Sequence, residues 1–372
     1  MLRGLVMVIM ALDHIRDYST FYHFDPEDLS QTTIPLFFTR WITHFCAPVF
    51  MFVAGTGTGL GEIYGKSKKQ LSHFLWTRGL WLIFLEFTVI RFSWFFNFDY
   101  SLFPLLVIWA LGICMVLLAT LIHLPKKVLL IGGLIMVFGH NLLDGIQPES
   151  FGSLSALWKV LHVESMIPLE NFTIYVVYPV VPWIGVMTLG YLFADFYKLD
   201  SKVRQKRMLW LGVLLTALFI IIRGINSYGD MHPWSQQPTF GLTIASFLNT
   251  TKYPPSLVYL LMTIGPSIIL LVVFEKISGP VSKFLIVFGR VPMFYYVLHL
   301  YLIHTISVIL GLYQGFTFDE MTVLFLNLPP EFGFGLPITY LLWILVVAIL
   351  FPLCLWYMNL KKRKKHPIFS YI

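Results

Sequence analysis

The sequence predicts an all-α fold: a polytopic integral membrane bundle of about ten transmembrane helices with both termini in the cytoplasm. Three observations carry this. The 372 residues are 57% hydrophobic, 17% aromatic and only 12% charged, with a mean hydropathy of +0.76, far from the roughly one-quarter charged composition of soluble domains. Apolar runs recur along the whole length, each able to cross a hydrocarbon core of about 30 Å as a helix whose backbone groups satisfy one another. Basic residues gather in the short segments between alternate runs, as in cytoplasmic loops.

In order, the predicted spans cover 2–21, 42–61, 74–96, 102–122, 127–143, 173–194, 208–226, 256–274, 289–312 and 335–358. The runs are continuous rather than alternating, which excludes a closed barrel. Lys66, Lys68 and Lys69, then Lys126 and Lys127, then Lys198, Lys202, Arg204, Lys206 and Arg207, then Lys276 and Lys283, and finally the tail from Lys361 to Lys365 are separated by even numbers of spans. The net charge of +7 is thus spread over loops facing one side, which argues for a lipid bilayer as partner and against nucleic acid. The opposite loops are longer, poor in Lys and Arg, and richer in aromatics, Pro and acids, the composition of segments that shape a site at the mouth of a bundle. Cys46, Cys114 and Cys354 all fall in predicted spans and read as small buried hydrophobes, neither a disulfide framework nor a metal cluster. Without a basic region and cleavage site at the amino terminus, the first run is expected to be a retained span. The chain reads as one domain over 1–372, with 361–372 a basic cytosolic tail.

The stretch MALDHIRDYSTFYHF ends the first span with a cluster of ionisable groups. Asp13 lies eleven residues beyond Leu2, a helical rise of about 16 Å, so Asp13 and His14 sit at membrane depth. A charge there costs at least about 2.5 kcal/mol and should face the bundle interior, find a partner and be functional by default. An interfacial ion-pair cluster accounts for Arg16 and Asp17 equally well. Asp13 and His14 together supply what a general base needs, an imidazole and an acid to bias it, although adjacent helical residues point about 100° apart. His44, in RWITHFCAPVFMFVAGTGTGLG, is a second candidate, with a core histidine bonded to a carbonyl as the equal alternative. Gly55, Gly57 and Gly59 beyond it would let a helix or a ligand approach closely. Arg78 and Arg290 either snorkel to headgroups or hold phosphates at the inward mouth. Glu86, Arg91, His140, Arg223, His299 and His304 complete the intramembrane set. His299 and His304 are five apart, off the same-face spacing a zinc pair requires, so no metal is expected. In NTTKYPPS, Asn249, Lys252 and Tyr253 are placed to line the outer mouth, as is Arg40 at the outer start of the second span.

RGLVMVIMALDH together with FCAPVFMFVAG resembles the membrane acyltransferases related to the catalytic domain of heparan-alpha-glucosaminide N-acetyltransferase, a family that includes bacterial homologues. In that family the first span opens on an Arg-Gly pair and carries a polar residue eleven positions later; here these are Arg3, Gly4 and His14. The second-span pattern is met by Pro48, Phe50, Phe52 and Gly55. RGLWLIFLEFTVIRF, YPVVPWIGVMTLGY, FLNTTKYPPSL and FGRVPMFYYVLHLYLIH extend the resemblance over nearly the whole chain. An acidic residue usual before the Arg-Gly pair is missing, so either the start lies upstream or the first span is short. The essential histidine that follows the polar residue by eleven positions has only His23, nine after His14, as a counterpart.

The resemblance implies an acetyl-CoA-dependent, membrane-bound acyltransferase, located in a bacterial inner membrane. It would move an acyl group, acetyl above all, from cytosolic acyl-CoA to a hydroxyl or amine of an extracytoplasmic sugar or glycan. His14 would act as base or acyl carrier, with Asp13, His44 or His23 assisting; Arg78 and Arg290 would hold the donor; and Arg40, Asn249, Lys252, Tyr253 and His299 would contact the acceptor. A homo-oligomer is compatible with all of this. The alternative is a proton-coupled transporter or flippase of a small polar or glycolipid substrate, which would use the same buried Asp and His.

Overall fold

The computed structural model describes residues 1–364. Helix α1 (Leu2–Ser19) is buried on nearly all sides, as its apolar sequence requires of a central helix. Helix α2 (Ile34–Trp41) starts where the Thr33 side chain accepts the N–H of Leu36, and runs through a tight turn at Ile42–Phe45 into α3 (Cys46–Ile63). A reciprocal cap between Ser67 and Gln70 opens α4 (Lys68–Leu85), which passes through a wide turn at Glu86–Ile90 into α5 (Arg91–Phe95). Then follow β1 (Leu102–Leu105), α6 (Val107–Leu121), α7 (Lys126–Phe138), α8 (Ser155–His162), β2 (Ser165–Pro168), β3 (Thr173–Val176), α9 (Val180–Phe193), α10 (Ser201–Ile225), α11 (Phe240–Leu248) and α12 (Leu257–Phe274). The chain ends with α13 (Pro280–Arg290), α14 (Pro292–Gln314), α15 (Phe318–Met321) and α16 (Leu336–Arg363).

Among the described residues, seven helical stretches are long and apolar enough to cross a membrane, so this is an integral membrane protein. They begin at Ile34, Lys68, Val180, Ser201, Leu257, Pro292 and Leu336. Helices α1, α6 and α7 occupy the other three predicted spans. The first carries Arg3, Asp13, Arg16 and Asp17, and the other two are only 15 and 13 residues long.

Two predicted spans need correcting at their starts. Residues 102–105 and 173–176 are strands, not helix: β1 pairs parallel with β3 and β2 pairs antiparallel with it, in the order β1-β3-β2. Pro104 would remove a helical hydrogen bond, and the β-branched run after Thr173 suits a strand. The span predicted at 289–312 is divided, because Pro292 is tolerated only at a helix start and the chain breaks at Val291 between α13 and α14. Of the expected cytosolic tail 361–372, Lys361, Lys362 and Arg363 form the last turn of α16, and 365–372 lie outside the described residues.

Small residues set the closest crossings. A Cβ on Gly4 would stand 1.8 Å from the carbonyl oxygen of Leu285, so α1 and α13 touch backbone to backbone. Arg3 locks this contact by donating from Nε to the Gly289 carbonyl at 2.6 Å. Likewise Gly55 lies where a Cβ would be 2.0 Å from the carbonyl oxygen of Met187 on α9, whereas Gly57 faces open space. The bundle end where α1 begins gathers the basic loops. There Lys126 and Lys198 bridge Asp195 at 2.7 and 2.6 Å, and Arg204 bridges Glu275 at 3.0 Å.

Candidate active site

At the other end of the bundle a cavity of about 520 Å³ opens under the segment 20–27. The last turns of α1 supply Asp13, His14, Arg16 and Asp17 to its wall, and α14 supplies Tyr296. His23, Glu27, Arg40, Trp94, Lys252 and Tyr253 close it. The loop carrying Lys252 is fastened from below: Asp230 accepts from Thr251 N and Oγ1 at 2.9 and 2.6 Å and from Ser256 Oγ at 2.8 Å. Tyr253, which precedes a cis proline, meets the Tyr178 hydroxyl at 3.3 Å, and the Lys252 ammonium stands over the Tyr253 ring at 5.1 Å.

His14 forms part of a two-imidazole relay. Its Nδ1 is 2.7 Å from Nε2 of His299, whose Nδ1 is 3.0 Å from the Tyr295 carbonyl oxygen. A carbonyl only accepts, so His299 Nδ1 carries the proton there and the neutral ring has a lone pair on Nε2. His14 must then donate from Nδ1, which leaves its own Nε2 as the basic nitrogen. His299 is fully buried and the two rings stack with centroids 4.9 Å apart, which fixes the orientation of His14.

Asp13 makes its hydrogen bonds and ion pairs away from His14. Both its oxygens accept from Arg40 Nη1 at 2.9 Å, Arg16 Nη1 lies 2.8 Å away, and Thr43 Oγ1 donates at 2.9 Å. Arg16 also meets Asp17 at 2.5 Å. This arrangement supplies each buried charge with a partner of opposite sign, as a low-dielectric site demands. His44 is likewise turned away: Nε2 contacts Glu27 Oε1 at 2.5 Å, and the ring neither lines the cavity nor meets His14. Burial pushes the Glu27 carboxyl upward, but His44 and Arg40 outweigh it and hold the group at about 2. Neither Asp13 nor His44 is hydrogen-bonded to His14, which corrects the expectation that one of them orients its ring; His299, expected on the acceptor side, is the residue bonded to it.

A second cavity, of about 350 Å³, enters from the basic end, between α1, α3, α4 and α6. Arg3, Lys66 and Arg78 line it, and Gly57 provides a wall without a side chain. Arg290 is exposed at the end of α13 and does not line this cavity, a further correction, because Arg3 occupies the adjoining Gly289 carbonyl and turns into the space itself. The two cavities share a wall: Val107 and Tyr296 line both.

Of the remaining candidates, His23 lines the histidine cavity, with Nε2 3.2 Å from the Phe332 carbonyl. Asn249 stands outside it and donates to the backbone carbonyl of Glu27 at 2.9 Å, so it ties down the covering segment rather than lining the mouth. Glu86 accepts the Trp109 N–H at 2.8 Å near the start of α6, and Arg223 donates to the carbonyls of Ser246, Phe247 and Asn249. His304 has both ring nitrogens 3.0 Å from carbonyl oxygens, those of Ser93 and Met321, so it is placed by backbone. Sequence reasoning missed Glu27, Trp94 and Tyr296. For Tyr296 a signal existed: it precedes His299 by three residues, on one face of a helix.

Residues 1–227 match the family model described as heparan-alpha-glucosaminide N-acetyltransferase, catalytic. The match spans more than half of the 372 residues and contains His14, Arg3, Arg78 and Trp94, while Tyr296 and His299 lie beyond it. No curated protein matches the chain.

Proposed function

The chain belongs to the heparan-alpha-glucosaminide N-acetyltransferase catalytic family, and on that premise we propose that it transfers an acyl group, acetyl in the first instance, from cytosolic acyl-CoA to a hydroxyl or amine of an extracytoplasmic sugar or glycan. The single observation supporting this reading most is the pair of cavities that enter from opposite ends of the bundle and share Val107 and Tyr296 as lining. In this reading the basic end faces the cytosol, as the loop charges suggest. Arg3, Lys66 and Arg78 receive the phosphates of the donor there, since cationic side chains at a cavity mouth suit phosphate oxygens. The acyl thioester extends toward the shared wall, and the acceptor approaches from the histidine cavity. His14 Nε2 takes the acceptor's proton as the nucleophile attacks, and His299 keeps the basic nitrogen aimed at the reacting atoms. Lys252, Tyr253 and Arg40 line the acceptor side, and the aromatic members suit the apolar face of a sugar ring.

The test uses the full chain reconstituted in vesicles, radiolabelled acetyl-CoA and glucosamine as an acceptor probe that offers both an amine and hydroxyls. Labelled acetyl on the probe, absent with His14→Ala, is the expected result. A wild-type protein that neither binds acetyl-CoA nor transfers its label overturns the reading.

A further inference from the structure

Buried hydrogen-bond donors in folded proteins are almost always paired, because an unpaired one gives up its bonds to water for nothing in return. Two donors beside His14 depart from that rule. The indole N–H of Trp94 and the hydroxyl of Tyr296 are buried with no partner at full hydrogen-bonding geometry, the indole N–H only leaning toward the Tyr296 oxygen, in side chains exposed by only 5% and 3%. Both rings stand edge-on to the His14 ring, with centroids 4.9 Å away for Trp94 and 6.3 Å for Tyr296. They come from different helices, α5 and α14, and converge on one imidazole. Trp81, Trp183 and Tyr295 also hold unpaired donors, but none of the three lines either cavity. Trp94 lines the histidine cavity and Tyr296 lines both.

We infer that Trp94 and Tyr296 form an oxyanion hole, donating to the thioester carbonyl oxygen of the donor at the wall the two cavities share. The inference rests on the acyl-transfer reading above and goes beyond it by assigning the groups that stabilise the transition state. Acyl transfer needs such groups. When the acceptor's lone pair forms a bond to the carbonyl carbon, the C=O π pair moves onto oxygen, and the proton leaves the acceptor for His14 Nε2. Collapse re-forms C=O and breaks the C–S bond, and the CoA thiolate leaves with that electron pair and takes the proton from His14. Charge on the carbonyl oxygen is greatest between these events, so donors fixed in place and held away from water act there most strongly. Arg16 and Arg40 also line the histidine cavity, but Asp13, Asp17 and Glu27 already engage them. Trp94 and Tyr296 instead are engaged by no charge and by no backbone carbonyl. Being neutral, they stabilise the developing charge without drawing the anionic acids of the cavity toward it.

The test is the infrared carbonyl stretch of acetyl-CoA labelled with ¹³C at the thioester carbonyl, bound to the full chain in detergent or vesicles, for wild type, Tyr296→Phe and Trp94→Phe. Each variant removes or displaces one donor while keeping an aromatic ring, and the Trp94 backbone carbonyl that accepts from the Tyr18 hydroxyl is unchanged. The expected result is a downward shift of the stretch in the wild type, part of which is lost in each variant, with the affinity for CoA without an acetyl group unchanged. With glucosamine as acceptor, kcat should fall by about 10²-fold at constant KM for acetyl-CoA. An unshifted wild-type stretch, or a shift kept in full in both variants, overturns the oxyanion hole while leaving acyl transfer intact. Parallel loss of CoA affinity and activity would assign the two rings to packing and overturn it as well. Failure of the wild type to bind acetyl-CoA sinks the underlying reading, a result separable from the others.

Discussion

His14 Nδ1 and His299 Nε2 lie 2.7 Å apart, and this bond decides which nitrogen of His14 is basic. Removing the base by His14→Ala should lower kcat by about 10²–10⁴-fold. His299→Ala should lower it by up to about 10²-fold through loss of orientation, with CoA affinity unchanged. His299→Gln, whose amide oxygen can accept from His14 Nδ1, should recover part of the loss. Equal activity of the Ala and Gln variants would show that the bond is not used.

Arg78 and Arg290 separate a cavity residue from an exposed one. Arg78→Gln should raise KM for acetyl-CoA about tenfold, the effect of losing about 1.4 kcal/mol of binding, with little change in kcat. Arg290→Gln should leave both constants as they are. Isothermal titration with CoA alone checks the binding half of the argument.

Gly55 and Gly57 are two residues apart and should respond in opposite ways to added bulk. Gly55→Leu collides with the α9 backbone and should destabilise the protein by about 1–3 kcal/mol or more, read as a fall in melting temperature. Gly57→Leu meets open space beside the arginine cavity. It should fold normally and lose acetyl-CoA binding.

Asp13 stands between Arg16 and Arg40. Asp13→Asn leaves two buried guanidinium groups without their shared carboxylate, a change of about 3–5 kcal/mol. The expected readout is a large drop in thermal stability that accompanies any loss of activity. Full stability with lost turnover would instead move Asp13 into the chemistry.

Glu27 gives the covering segment a dependence on pH. Its carboxyl is held at about 2, below the ordinary value, by His44 and Arg40 against the effect of burial. Its stabilising contribution is thus complete above the unfolded value of about 4.3 and is lost as pH falls from there toward 2. Hydrogen exchange in residues 20–33 should quicken over that window in the wild type. In Glu27→Gln it should already be fast at neutral pH and change less.

Much of the helical framework is legible in the sequence because apolar runs must bury their backbone polar groups, and the helices duly fall on them. The strands at 102–105 and 173–176 are not, since a short apolar stretch with β-branched residues has no period that separates strand from helix. The depth of His14 marks it as a candidate from the residues alone. Its partner escapes that reasoning because His299 is 285 positions away and no local spacing links them. Asp13 misleads for the reverse reason: it is next to His14 in sequence yet turns to Arg40, Arg16 and Thr43 around the helix. Trp94 and Tyr296 look like ordinary aromatic core until their unpaired donors are seen.

The close approach of Gly4 to α13 has a consequence at the far end of the helix. Gly4 lies against Gly289, and His14 lies against His299; the offset is 285 in both cases. The register set where α1 touches the end of α13 therefore carries across the break at Val291 into α14. Sliding α1 or α14 by one residue would move its imidazole about 1.5 Å along and turn it about 100° around, so a single inserted or deleted residue between Leu5 and Asp13 would misalign the pair even with every side chain still present.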